Sequence, residues 1–229
     1  MKTARILLLS DEEYPLYSKS WTPASFQGID LIISCGDLPS RYLEFIADRF
    51  DGYVLYVPGN HDRNYVTHPP LGCVNIDEKI FTWKGLRFLG LGGTMWYNDG
   101  PWQYSEKEMK KRIRKLWFPL LKSSGFDILV THTPAFGHYD GKDRCHTGFQ
   151  SFNELIERYR PLFFFHGHIH LNYGEFPRRY TIDETVAING YKRCIVTVPL
   201  PDEEDTHVFD ADARELIEEQ SRPRPEDRI

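Results

Sequence analysis

The sequence predicts an α/β fold built on a largely parallel sheet. Three short apolar runs near the amino terminus, residues 5–9, 30–34 and 53–57, are each bounded by turn-forming residues. Runs of this kind are typical of strands that are covered on both faces. Between the second and third runs, residues 42–50 have the apolar spacing of a helix. A strand, a helix and a strand in succession indicate parallel pairing.

The middle of the chain predicts a hairpin followed by a long helix. Residues 79–91 alternate between apolar and polar around Lys84-Gly85, which is typical of a β-hairpin turn. Ser105 and Glu108 form a capping box that begins a helix predicted to run to about Leu121. One face of this helix is apolar, with Met109, Ile113, Leu116, Trp117 and Leu120. The other face is basic, which we interpret as a solvated surface; contact with a phosphate backbone is the alternative.

The second half of the chain predicts strands 127–131 and 161–165, with a helix over 152–159 between them. Short alternating strands then fill 173–198 and predict a meander. We expect residues 1–200 to form a single domain and residues 201–229 to form an acidic, partly disordered C-terminal tail. A short helix over 212–220 is the alternative within that tail.

Charge and composition exclude several classes of protein. The net charge is -5, and residues 201–229 contain 11 acidic and 4 basic residues, so the remaining 200 are nearly neutral. This distribution disfavours nucleic acid as a partner. The four apolar residues at 6–9 are too few for a signal peptide, and no run is long enough to span a membrane. Four scattered cysteines without a Cys-x-x-Cys pair favour reduced thiols in the cytoplasm over a disulfide framework or a zinc clip.

Polar residues follow five of the predicted strands. Sites in open α/β sheets form beyond the carboxyl ends of the strands, so these residues predict a site at one end of the sheet. Each alone has an ordinary explanation, such as a helix N-cap for Asp11, a turn at Gly36-Asp37 or packing for His132. The alternate spacing of His168 and His170 suits two imidazoles that reach adjacent metal ions, whereas we interpret His166 as a packing residue or as one that supports the ligands. The strand-end residues are Asp11 and Glu13, Asp37, Asn60-His61-Asp62, His132, and His168 and His170.

In this order, Gly59-Asn60-His61-Asp62 and Gly167-His168-Ile169-His170 resemble the motifs of the calcineurin-like metallophosphoesterase family over residues 5–198. The resemblance implies a four-layer αββα sandwich, with two mixed β-sheets flanked by helices. It also implies a metal-dependent phosphoesterase. Such an enzyme would hydrolyse a phosphomonoester or phosphodiester, a small-molecule substrate, through a dinuclear metal site and a metal-bridging hydroxide.

The resemblance assigns a role to each strand-end residue. Asp37 would bridge two metal ions, His61 would face the phosphate, and Asp62 would hydrogen-bond and orient His61. The first ion would be held by Asp11, Glu13 and His170, and the second by Asn60, His132 and His168. Mixed imidazole and carboxylate ligands suit Mn²⁺, Fe²⁺/Fe³⁺ or Zn²⁺.

Glu13 departs from the family pattern, which has histidine at this position. The favoured interpretation is that Glu13 replaces histidine as a ligand. Contact with the metal through water and a weak first site with lost function are the alternatives.

The loops at 92–102 and 136–149 could each rim a pocket. The alternative functions are a non-catalytic binding scaffold of the same fold and, less favoured, a nucleic-acid-binding module that uses the basic helix.

Overall fold

A computed structural model describes residues 1–202, 209 and 212–227. The strands are β1 (Thr3–Ser10), β2 (Leu31–Ser34), β3 (Val54–Tyr56), β4 (Val74–Asn75), β5 (Lys79–Trp83), β6 (Leu86–Leu91), β7 (Thr94–Met95), β8 (Gln103–Tyr104), β9 (Ile128–Thr131), β10 (Phe163–His166), β11 (Arg179–Ile182), β12 (Thr185–Asn189) and β13 (Lys192–Pro199). The α-helices are α1 (Ser40–Ala47), α2 (Glu106–Lys115), α3 (Trp117–Lys122), α4 (Gln150–Tyr159) and α5 (Ala213–Ser221).

Two large mixed sheets form the centre of the molecule. The first has the strand order β13-β1-β2-β3-β4, in which β1 to β4 run parallel and β13 is antiparallel. The second has the order β11-β12-β10-β9-β6-β5, with antiparallel strands at both edges of a parallel centre. The predicted hairpin is β5-β6, and both Lys84 and Gly85 have the positive φ that its tight turn requires.

The alternation of side chains along β1 explains the layering. Ile6 and Leu8 pack in an apolar cluster shared by the two sheets, whereas Leu7 and Leu9 pack in a cluster with α1. The outer face of the second sheet packs against α2, α3 and α4. Since successive residues of a strand face opposite sides, a continuous apolar run is what a strand between two covered faces needs. The predicted four-layer αββα sandwich is confirmed.

The long predicted helix is broken in two at Leu116. Ser105 forms the predicted capping box with Glu108, but α2 ends at Lys115 and α3 begins at Trp117. Pro119 explains the break, because it has no N–H to donate to the carbonyl of Lys115 and its ring clashes with that carbonyl. Trp117, predicted to lie on the apolar stripe, is instead exposed.

The end of the chain differs from a simple meander. β11 and β12 pair with each other, but β13 crosses to the first sheet and pairs with β1 along its whole length, from Thr3 opposite Pro199 to Ser10 opposite Lys192. The short helix considered as the alternative to disorder over 212–220 is present as α5. It packs on β11, β12 and β13. The disorder expected in 201–229 falls partly on residues 203–208, 210, 211, 228 and 229, which lie outside the described residues. Among the described residues, no helix is long and apolar enough to cross a membrane.

Candidate metal centre

The carboxyl ends of β1, β2, β9 and β10 bring four ligand-type side chains together. Asp11, Asp37, His132 and His168 offer oxygen and nitrogen atoms that all lie within 4.8 Å of one another. Three of these residues, Asp11, Asp37 and His168, have left-handed backbone conformations, with φ of 67°, 58° and 66°. Such conformations cost about 1–3 kcal/mol each in non-glycine residues and concentrate at functional sites. The strand ends are thus shaped to aim these side chains at one point.

The imidazole of His132 shows that this cluster suits a cation. Its Nδ1 lies 2.7 Å from the carbonyl oxygen of Cys35, so Nδ1 carries the proton and Nε2 keeps its lone pair in the neutral ring. Nε2 lies 3.2 Å from Oδ2 of Asp37 and 3.2 Å from Oδ1 of Asn60. Three electron-pair donors therefore face one another. Either a second proton on the ring, which the raised pKa of His132 favours, or a metal ion among the three atoms would turn this repulsion into attraction.

The charges of the cluster support the same conclusion. Burial alone would lower the pKa of His132, but the adjacent carboxylate of Asp37 raises it to about 9. Burial likewise opposes ionisation of Asp37, yet His132 lowers the pKa of that carboxyl to about 2. The pKa of Asp11 is raised to about 7, chiefly by burial and further by the charge of Asp37. The ionised carboxylate of Asp37 is therefore stabilised by a neighbouring positive charge, whereas that of Asp11 is not stabilised enough to offset its burial.

Asp62 makes a different contact from the one expected. Its buried Oδ2 accepts hydrogen bonds from the backbone N–H groups of Gly59, at 2.7 Å, and Asp37, at 2.8 Å. The hydrogen bonds found in the described part of the chain do not join this carboxylate to the ring of His61, so the expected orienting role is not supported. The reason is local: the turn at 59–62 directs the short Asp62 side chain back toward the amide of Gly59 and toward that of Asp37 at the neighbouring strand end. Asp62 fixes the backbone that carries Asp37 and Asn60.

His61 and Asn60 are neighbours in the turn but differ in their exposure to solvent. The backbone N–H of His61 donates to Oδ1 of Asp37 at 2.7 Å, and the His61 residue is exposed. Asn60 is buried, and its Nδ2 donates to the hydroxyl of Tyr97 at 2.9 Å. Tyr97 therefore holds the amide so that Oδ1 faces His132. It belongs to the loop at 92–102 that was expected to rim a pocket.

His170 lies at the edge of the cluster, and Glu13 lies outside it. Nε2 of His170 is 3.7 Å from Oδ1 of Asp11. Glu13 is exposed and is not among the ligand-type side chains that converge in the described residues. The tight turn at Asp11 explains this position, because the chain leaves the strand direction there. The next residue, Glu12, accepts a hydrogen bond from the hydroxyl of Tyr191 and pairs with Lys192. Direct ligation by Glu13 is not what this geometry favours.

His166 packs away from the cluster, as expected. Its ring is fully buried, with Nε2 2.8 Å from the hydroxyl of Tyr180 and Nδ1 3.0 Å from the carbonyl of Gly167. Burial lowers its pKa to about 4. A neutral ring held in this way stabilises the carboxyl end of β10.

Two glycines let the strand ends approach one another. A Cβ on Gly59 would lie 2.1 Å from Oδ1 of Asp37, and a Cβ on Gly167 would lie 1.9 Å from Oγ of Ser10. Any side chain at either position would displace a residue of the cluster or its support. Glycine is therefore required at positions 59 and 167, because the backbone there passes too close to neighbouring strand ends for a side chain to fit.

Sequence reasoning placed Cys145 and His146 only in a loop that could rim the pocket and did not identify them as ligand-type residues beside the cluster. They belong to the second rim loop, 136–149, and lie next to His168. Their signal was weak because they are adjacent to each other in sequence and 22 or more residues away from His168. Sequence patterns for metal sites rely on ligands that recur at short, fixed spacings, and these three residues do not have such a spacing.

The sequence matches the profile of the calcineurin-like phosphoesterases over residues 15–172, and the chain belongs to this family. The protein TT1561 of Thermus thermophilus has a similar structure, with a TM-score of 0.58 at 17% identity, over 83% of this chain and 90% of that one. A second solved structure reaches a TM-score of 0.59 at 13% identity, over 86% and 95% of the two chains. These structures support the fold. No curated protein sequence gave a significant match.

Proposed function

We propose that this protein is a metal-dependent phosphoesterase that hydrolyses a small phosphomonoester or phosphodiester with two metal ions. The observation that carries the proposal is the convergence of Asp11, Asp37, His132 and His168 from four strand ends, with Asn60 in contact with His132. Membership of the calcineurin-like phosphoesterase family supports phosphoric ester hydrolysis. The donor set of imidazoles, carboxylates and one amide suits Mn²⁺, Fe²⁺/Fe³⁺ or Zn²⁺.

In this proposal the residues divide between two ions. Asp37 would serve both, Asp11 and His170 would hold the first, and Asn60, His132 and His168 would hold the second. When bound, a metal pair supplies Lewis acidity and lowers the pKa of water. The exposed position of Glu13 favours its contact through water over direct ligation.

The charge of the centre fits an anionic substrate. Asp11 and Asp37 are the two carboxylates of the cluster, and the remaining ligands are neutral. Two carboxylates against two divalent cations leave the centre positive, which attracts a phosphate ester. An additional ligating carboxylate would weaken this attraction, and the surface position of Glu13 avoids that loss.

His61 is the residue we propose to act on the ester itself. Its backbone is tied to Asp37, and the exposed residue lies beside the cluster, where a bound phosphate would be accessible to its imidazole. An imidazole there can protonate the leaving oxygen or stabilise charge on the phosphoryl group. Because Asp62 fixes the backbone and not this ring, we expect His61 to take its working orientation on the substrate.

Hydrolysis of nitrophenyl phosphate and bis(nitrophenyl) phosphate with added Mn²⁺, Fe²⁺ or Zn²⁺ tests the proposal. We expect turnover of at least one ester, its loss in His132→Ala together with bound metal, and normal turnover in the matched control His68→Ala, whose exposed ring bonds Thr67. His61→Ala should keep the metal and lose about 10²–10⁴-fold in rate, the usual contribution of a general acid. A protein that binds metal but turns over neither ester would instead be the non-catalytic scaffold.

A further inference from the structure

A second group of metal-ligand side chains lies against the first and shares only His168 with the proposed phosphoesterase centre. Cys145, His146 and His168 offer sulfur and nitrogen atoms within 4.8 Å of one another. Nε2 of His168 lies 3.8 Å from Sγ of Cys145 and 3.0 Å from the carbonyl oxygen of Cys145, to which it donates a hydrogen bond; an ion bound at Nε2 would take the place of that proton. The ring of His146 stacks on that of His168, with 4.8 Å between centroids and 27° between planes.

Asp143 prepares the loop that carries Cys145 and His146. Its Oδ1 accepts the backbone N–H groups of Cys145, at 3.0 Å, and His146, at 3.1 Å. Its Oδ2 lies 2.7 Å from Nδ1 of His146, so Nδ1 is protonated and Nε2 is left with a free lone pair. Histidines that bind metals are almost always oriented by such a partner on the other nitrogen. The loop is thus held in the form that a metal site needs before any ion binds.

We propose that Cys145, His146 and His168 bind a soft divalent cation, with Zn²⁺ as the ion that this chemistry prefers. Thiolate sulfur and imidazole nitrogen are both zinc ligands, and a tetrahedral ion held by three such groups keeps a fourth position open. The half-buried position of Cys145 and His146 gives an ion access from solvent. The sequence argument against a zinc clip relied on the missing Cys-x-x-Cys pair, and this set needs only one cysteine.

The new site shares His168 with the proposed phosphoesterase centre. A neutral imidazole has one lone pair, so a cation held by Cys145 and His146 competes with the second ion of the centre for this ring. Excess Zn²⁺ would therefore reduce occupancy of the centre by Mn²⁺. Binding of the soft cation does not itself depend on the phosphoesterase activity, so the two proposals can fail separately.

Cobalt(II) spectroscopy tests the site directly, because a cobalt–thiolate bond gives a charge-transfer band that oxygen and nitrogen ligands do not. The full-length protein, stripped with a chelator, is titrated with Co²⁺. We expect the band in the wild type and in Cys73→Ser, a control that changes another half-buried cysteine, and its loss in Cys145→Ser. Asp37→Asn should keep the band, since Asp37 serves the neighbouring centre alone.

Two further measurements make the test sharper. Asp143→Asn keeps an oxygen for the backbone amides but loses the charged partner of His146, and we expect it to weaken Co²⁺ binding about 10–100-fold without moving the band. Added Zn²⁺ should displace Co²⁺ and abolish the band. The proposal is overturned if the wild type gives no thiolate band, if Cys145→Ser keeps it, or if Cys73→Ser loses it equally.

Discussion

Asp62 and Asp37 are joined by a hydrogen bond of 2.8 Å from the backbone N–H of Asp37 to Oδ2 of Asp62. The same oxygen accepts the N–H of Gly59, so one buried carboxylate ties together the ends of two neighbouring strands. Asp37 in turn places its own carboxylate 3.2 Å from His132. The geometry of the candidate metal centre therefore depends on a residue that is not itself one of its ligands.

Replacement of Asp62 by alanine should weaken both metal binding and folding. Two buried N–H groups would lose their acceptor, which costs about 1–3 kcal/mol for each unsatisfied group. Metal affinity should fall about 10–100-fold, as for other supporting residues of metal sites. Urea unfolding and titration with Mn²⁺ measure the two effects. Asp62→Asn, which keeps an acceptor oxygen, is the matched control and should be milder; equal metal affinity in all three proteins would show that Asp62 does not support the centre.

Replacement of Gly59 by alanine should displace Asp37. The added Cβ would lie 2.1 Å from Oδ1 of Asp37 and 2.7 Å from Cε1 of His132, closer than atoms can approach. We expect Mn²⁺ binding and ester hydrolysis to be lost together. Gly174→Ala is the control, because its Cβ would meet only the movable ring of Phe176 at 3.3 Å. Normal Mn²⁺ binding by Gly59→Ala would contradict the described packing of the strand ends.

Glu13 provides a test of ligand assignment. Since Glu13 is exposed, Glu13→Ala should bind the same number of metal ions per chain as the wild type. Asp11→Ala should bind fewer, because Asp11 is one of the four converging ligand-type residues. Elemental analysis of protein purified without chelators makes the comparison. Loss of an ion from Glu13→Ala would restore Glu13 as a direct ligand.

The buried ion pair of Arg87 and Asp127 should stabilise the fold without serving the site. The two side chains make a bidentate contact with distances of 2.6 and 2.9 Å. Asp127→Ala would leave the Arg87 charge buried, so the free energy of unfolding should fall by about 3–5 kcal/mol. Urea unfolding measures this loss. The exposed pair of Lys84 and Asp30 is the control, and Lys84→Ala should cost at most about 1 kcal/mol.

Catalysis by folded Asp127→Ala should be unchanged. Asp127 precedes β9, whereas His132 follows it, and the four residues of the strand between them separate the two by about 16 Å. A rate constant per folded molecule that fell as far as in Gly59→Ala would place this ion pair in the functional machinery.

The fold was predictable because the same local sequence feature, a short apolar run, recurs at each buried strand. Buried parallel strands need continuous apolar runs, and the polar residues that end them are conspicuous against that background, as Asp37 and His132 are. The destination of β13 was not predictable, because an alternating strand fits the edge of either sheet. The break at Leu116 was visible in principle, since Pro119 stood inside the predicted helix.

The ligand-type residues were predictable from strand ends, but their contacts were not. Asp62 adjoins His61 in sequence, so sequence order suggested that pair, whereas the amide of Asp37 reaches Asp62 across 25 residues. The exposure of Glu13 depends on the left-handed turn at Asp11, which a non-glycine residue does not signal. Cys145 approaches His168 only through a loop held by Asp143.

The most direct test of the central claim is the metal dependence of ester hydrolysis by the intact chain. The protein is stripped with a chelator and assayed with bis(nitrophenyl) phosphate and nitrophenyl phosphate while Mn²⁺ is added back. We predict that turnover disappears on stripping, returns with Mn²⁺, and does not return in Asp37→Asn. Turnover that survives complete removal of metal, or its absence with Mn²⁺, Fe²⁺ and Zn²⁺ alike, would contradict a metal-dependent phosphoesterase.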